Sequence, residues 1–124
     1  MTIRSYRDLR VWQESMDLAA RCYRLTRGFP KDEMFGMTSQ IRRASTAVPA
    51  NIAEGYGRES SGAYSQFLRV AQGSLKELET HLLLAERVGL LPVATAREAL
   101  DASETVGKML RSLIRSIERS RNET

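Results

Sequence analysis

The feature that leaves this chain fewest ways to fold is an apolar run in its middle. Tyr64, Leu68, Ala71, Leu75, Leu78, Leu82 and Ala85 succeed one another at alternating spacings of four and three without a break. A helix turns once in about 3.6 residues, so this spacing holds all seven side chains on one narrow face. A seam that long and regular is stable only against other helices of similar length. The sequence supplies three.

The first is expected over residues 8–27, where Leu9, Trp12, Met16, Ala19 and Tyr23 recur at threes and fours, with Val11, Leu18, Cys22 and Leu25 widening the face. Gly28-Phe29-Pro30 ends it, because glycine can take a left-handed cap and proline cannot continue the helix. A second is expected after Pro30, with Asp32 and Glu33 in its first turn and Met34, Met37, Ile41, Ala44, Val48 and Ile52 as its apolar face. Pro49 removes one backbone donor and crowds the carbonyl of Ser45, which predicts a kink, since the apolar phase continues past it. Gly55 to Gly62 forms the turn into the seam helix, and Gly89 closes that helix. The last helix carries Ala96, Ala99, Ser103, Val106, Leu110, Leu113 and Ile117 and is expected to fray after Arg119. With short connections throughout, these segments predict an all-α fold, an up-down-up-down antiparallel four-helix bundle with its second helix kinked near Pro49. It is read as a single domain, 1–124, with an ordered core of about 6–119.

Cys22 is the only cysteine, so no internal disulfide forms and no cysteine cluster can hold zinc. No apolar run approaches the roughly 18 residues of a membrane span, and the first residues lack the apolar stretch of a signal peptide, so the expectation is a cytoplasmic protein with no membrane partner. The formal charge is +4, concentrated at the two ends. Residues 1–29 carry six Arg against three acids, and residues 108–124 five bases against two, whereas residues 92–107 are net negative. Arg supplies sixteen of the nineteen bases, and its planar fork suits phosphate and carboxylate.

Residues able to do chemistry are sparse. A di-iron bundle needs two Glu-x-x-His pairs, yet His81 is the sole histidine and Leu78 stands three before it. A bundle-ribonuclease pattern needs Arg four to six residues before His, and the nearest preceding Arg is Arg69. Cys22 lies on an apolar face, which suits an inert thiol. No metal, no cofactor and no catalytic residue are therefore predicted.

Two basic segments remain. Arg4, Arg7 and Arg10 lead into the first helix with Tyr6 among them, and Lys108, Arg111, Arg115 and Arg119 step along one face of the last. Such rows can track a phosphate backbone, and the alternative is a solvated outer face. A third segment, Pro49 to Arg58, places an Asn and Glu54 in the last turns of a helix, where the dipole disfavours an acid; Glu54 paired with Arg58 is the structural alternative.

The stretches Leu9-x-Val11-Trp12-Gln13, Phe29-Pro30, Gln40-x-x-Arg43, Asn51-Ile52-Ala53-Glu54-Gly55 and Gly73-Ser74-x-x-Glu77-Leu78 resemble the four-helix-bundle family of 23S rRNA intervening-sequence proteins, over residues 6 to about 118. The family is related to the accessory variability protein of diversity-generating retroelements, a basic bundle that binds nucleic acid. The resemblance implies a non-enzymatic homo-oligomer, a pentamer, with RNA or DNA as a partner and a role in ribonucleoprotein assembly. The alternative is a protein-interaction scaffold with no nucleic-acid role. On this reading Arg4, Arg7, Arg10, Lys108, Arg111, Arg115 and Arg119 bind nucleic acid. Arg43, Asn51, Glu54, Gly55, Ser74 and Glu77 set helix or subunit register.

Overall fold

The protein is described in a computed structural model over residues 2–123. Four helices, α1 (Arg10–Thr26), α2 (Met37–Tyr56), α3 (Ser61–Arg87) and α4 (Val93–Glu123), are joined by short connections, two of which contain 3-10 turns at Tyr6–Asp8 and Lys31–Glu33. No strand occurs among the described residues. Each helix packs on its neighbours in the chain, α1 also packs on α4, and the diagonal pairs stay apart. The bundle is therefore a square, with the start of α1, the α2–α3 turn and the end of α4 at one end and the other two connections at the opposite end.

The α3 seam is buried as its spacing predicts: Leu68, Ala71, Leu75, Leu78, Leu82 and Ala85 are inaccessible, with Ser65 taking the place expected of Tyr64. Ser60 caps α3 by accepting from the Ala63 N–H at 3.1 Å. At the far end Gly89 adopts φ 85°, which an L side chain rarely tolerates. That conformation lets Leu90 N–H reach the carbonyl of Ala85 at 2.8 Å and Gly89 N–H reach that of Glu86 at 3.1 Å, closing the helix.

The phase of α1 differs from expectation. Its buried face is Val11, Ser15, Leu18, Cys22 and Thr26, with Ala19 beside it, while Met16 and Tyr23 are 44% and 39% exposed. The reason is that two hydroxyl residues occupy core positions. Ser15 donates to the carbonyl of Trp12 at 2.8 Å and Thr26 to that of Cys22 at 2.7 Å, so each enters the interior without an unpaired polar group. An apolar count skips them and settles on the neighbouring stripe.

α2 begins later than expected. Asp32 and Glu33 belong to a separate 3-10 turn, and the Glu33 carboxylate accepts from the Met37 N–H at 3.1 Å. The acid thus stands before the helix at the positive end of its dipole. Pro49 is buried inside α2, which runs through it unbroken. Near the α2 C-terminus Gly55 faces α3 so closely that a Cβ there would lie 2.7 Å from Phe67 Cβ. The rings of Tyr56 and Tyr64 meet edge to face alongside it, with centroids 6.0 Å apart.

α4 buries Ala96, Ala99, Ser103, Val106, Leu110 and Ile114; Leu113 and Ile117 are only half-buried. It continues through Arg119 to Glu123, where fraying was expected. Glu118 ties this stretch of α4 to α3: it accepts from Ser65 at 3.0 Å and from Arg69, and those two partners hold its carboxyl below the usual range.

Candidate nucleic-acid interface

The antiparallel square brings the two basic segments to one end. Leu9, Arg10 and Val11 of the α1 start face Lys108, Met109, Ser112, Leu113 and Ser116 of α4 across a groove of about 510 Å³. Arg10 and Lys108 rim it, each beside an acid one turn away on its own helix, Glu14 at 4.0 Å and Glu104 at 3.5 Å. Such exposed pairs are weak and exchangeable.

The lead-in is more structured than a free basic arm. Ser5 and Asp8 cap the first turn reciprocally, and the Asp8 carboxylate accepts the Arg4 N–H at 2.9 Å. Tyr6 stands edge-on to Trp12 with centroids 5.2 Å apart, and the Arg7 guanidinium lies 5.6 Å from the Tyr6 ring centroid. Tyr6 is half-buried and so is not a free stacking platform. Arg4, Arg7 and Arg10 are exposed but span a turn and a helix start, so they form a cluster and not a stripe.

The α4 row differs. Arg111, Arg115 and Arg119 are exposed and form no ion pair among the described residues. Glu118, the only acid between residues 108 and 122, is already engaged by Arg69 and Ser65. Each of the three is followed by a serine: Arg111-Ser112, Arg115-Ser116 and Arg119-Ser120 repeat at every fourth residue. Counting charges alone passes over this repeat, and a search for short-period self-similarity would find it. The three serines are exposed and make no hydrogen bond among the described residues, whereas the hydroxyls of Thr46, Thr80 and Thr105 bond back to their own helix.

The residues expected to fix register fall into two groups with no hydrogen bond or ion pair between them. On α2, Arg43 is exposed, the Asn51 amide donates to the Ala47 carbonyl at 2.8 Å, Glu54 pairs with Arg58 at 3.6 Å, and Gly55 makes the close approach to α3. On α3, Ser74 is half-buried and Glu77 lies 3.3 Å from His81. Arg58 also stacks on Phe67, 4.7 Å from its centroid, so it serves the α2–α3 corner twice.

Two apolar surfaces accompany these residues. Trp12, Met16, Ala19 and Tyr23 of α1 line a groove of about 400 Å³ with Pro49, Ala50 and Ala53 of α2. On α3, Leu83 and Leu84 project beside Thr80 and Arg87. Gly73, in the middle of α3, is exposed with nothing within 4 Å of where a Cβ would stand.

Catalytic chemistry finds no support in the groups present. Cys22 is buried, and desolvation pushes its thiol up to about 11 despite Ser45 and Arg21. Among the described residues no three His, Cys, Asp or Glu lie together as a metal site, and no helix is long and apolar enough to cross a membrane.

The chain matches the family model of the 23S rRNA-intervening sequence protein over residues 7–112, which includes Lys108 and Arg111 and stops short of Arg115 and Arg119. It is similar to a solved structure from Bacteroides thetaiotaomicron, a protein of unknown function from the S23 ribosomal protein family. The TM-score is 0.76 at 26% identity, over 84% of this chain and 97% of that one. No curated protein matches it.

Proposed function

The chain belongs to the 23S rRNA-intervening sequence protein family, and on that footing we propose that it is a non-enzymatic, homo-oligomeric bundle that binds RNA or DNA in a ribonucleoprotein assembly. The observation that carries this reading is the row of Arg111, Arg115 and Arg119, exposed, without acidic partners among the described residues and on the same end as Arg4, Arg7 and Arg10. Guanidiniums that make no ion pair among the described residues keep their donors open to a ligand, and gathered at one end they attract a polyanion. The self-association component is supported by the α1–α2 groove and the Leu83–Leu84 surface. These are two unlike apolar patches, as a head-to-tail ring requires. A pentamer would raise the +4 of one chain to about +20 and gather the basic ends.

The test is binding to structured ribosomal RNA and duplex DNA across a salt titration, beside a variant with Arg111, Arg115 and Arg119 changed to Glu. Tight binding that weakens steeply with salt and vanishes in the variant supports the reading. An intact oligomer that binds neither polymer near physiological salt overturns it in favour of a scaffold that recognises protein.

A further inference from the structure

Resting on that reading, we infer that the Arg-Ser repeat of α4 recognises double-stranded RNA through its phosphates and 2′-hydroxyls, and neither single strands nor base sequence. Three features of the repeat converge on this ligand.

The first is its chemistry. Arg111, Ser112, Arg115, Ser116, Arg119 and Ser120 present one guanidinium and one free hydroxyl for about every 6 Å of helix. Arg offers a planar donor fork for phosphate, and a serine hydroxyl can both donate and accept, which is what pairing with a ribose 2′-hydroxyl requires. Lysine or arginine alone would serve any polyanion. The alternating hydroxyl adds a partner for the one group that RNA has and DNA lacks.

The second is what the row omits. From Val93 onward the chain holds no aromatic residue. The rings at that end are already engaged, Tyr6 on Trp12, Tyr56 on Tyr64 and Phe67 beneath Arg58, 4.7 Å from its centroid, and Tyr23, further along α1, lies beneath Arg42, 4.6 Å from its centroid. Phe35, 91% exposed, belongs to the α1–α2 connection at the opposite end. Proteins that hold single strands stack the bases on such rings, and this face offers none.

The third is its relief. α4 is flanked to its last turn, by Leu9 to Val11 of α1 on one side and by Ser65 and Arg69 of α3 on the other, and Gly62 lies against Arg121. A helix so flanked is flush with the side of the bundle and cannot enter a DNA major groove as a protruding recognition helix does. The wide, shallow minor groove of A-form RNA, lined by 2′-hydroxyls between two phosphate rows, presents a surface that a flush helix can lie across.

The experiment uses the full chain and three probes of one sequence: an RNA duplex of about 16 bp, its single strand, and the matching DNA duplex. Alongside wild type run S112A/S116A/S120A and R111E/R115E/R119E. Alanine is the better helix former, so the serine variant keeps its fold. The expected result is duplex RNA bound about tenfold tighter than the single strand, with the serine variant losing about tenfold for duplex RNA and nothing for duplex DNA. A single strand bound as tightly as the duplex, or a serine variant indistinguishable from wild type on duplex RNA, overturns the inference while nucleic-acid binding stands. Failure to bind any of the three probes overturns the proposed function itself.

Discussion

Gly55 and Gly73 are both helical, yet the same substitution should move stability in opposite directions at the two sites. At Gly73 a Cβ enters open space. Alanine there recovers the conformational entropy that glycine forfeits, a gain of about 0.5–1 kcal/mol. At Gly55 the added carbon would lie 2.7 Å from Phe67 Cβ, 3.2 Å from Tyr64 Cδ1 and 3.3 Å from the Tyr64 carbonyl oxygen. Carbon atoms rest at about 3.5–4.0 Å, so α2 and α3 must part by roughly 1 Å where they are closest. Phe67 Cβ is fixed to the backbone and cannot swing away. Overpacking of this kind costs about 1–3 kcal/mol, offset by a propensity gain of about 0.5 kcal/mol in a last helical turn, which leaves about 0.5–2.5 kcal/mol of destabilisation. In thermal unfolding at one protein concentration the two variants should therefore separate by about 4–13 °C, with wild type between them. A Gly55→Ala protein as stable as wild type would refute the packing argument. A Gly73→Ala protein less stable than wild type would show that something outside the chain rests on that bare stretch of α3.

Two further predictions follow from single groups. The Cys22 thiol, pushed up to about 11 by burial, stays neutral in the folded state at pH values where the unfolded thiol, with its ordinary value of 9.0, has ionised. Its contribution is complete below pH 9 and is lost between about 9 and 11, so the fall in urea midpoint across that window should be shallower in Cys22→Ala than in wild type. Glu33→Ala removes the acceptor of the Met37 N–H and a negative charge at the start of α2. A loss of about 1 kcal/mol in urea unfolding is expected, with faster hydrogen exchange confined to the first turn of α2.

What could be read in advance divides along physical lines. α3 was legible because its seam is an unbroken apolar repeat, and one face is all that a helix in a bundle has to offer. α1 was legible as a helix but not in its rotation, because Ser15 and Thr26 fill core positions using bonds to their own backbone, which no hydropathy pattern records. Glu33 looked like a first-turn acid since sequence shows proximity to a helix start and not on which side of it a residue stands. For the candidate interface, every arginine was visible but not its occupancy. Arg21 pairs with Glu98 at 3.3 Å and Arg69 with Glu118, partners 77 and 49 residues away, whereas Arg111, Arg115 and Arg119 have none among the described residues. The hydroxyls of the serines between those arginines carry no signal in the sequence, because a free hydroxyl differs from a back-bonded one only in three dimensions.

The square arrangement of helices also orders the bundle in time. Three of its four sides join helices that follow each other in the chain, so they close over short loops, and α2 with α3 is the most intimate of them. The fourth side, α1 against α4, joins the two ends of the sequence and is the sparsest. Contacts between distant parts of a chain exact the largest loss of chain freedom before they return any energy. The α2–α3 hairpin is thus placed to form early and the α1–α4 side to zip last. By the same reasoning that side is the first to part when the native protein breathes. The groove holding Arg10 and Lys108 lies along this seam, so a ligand clamped across both rims would slow opening throughout the bundle while touching only two of its helices.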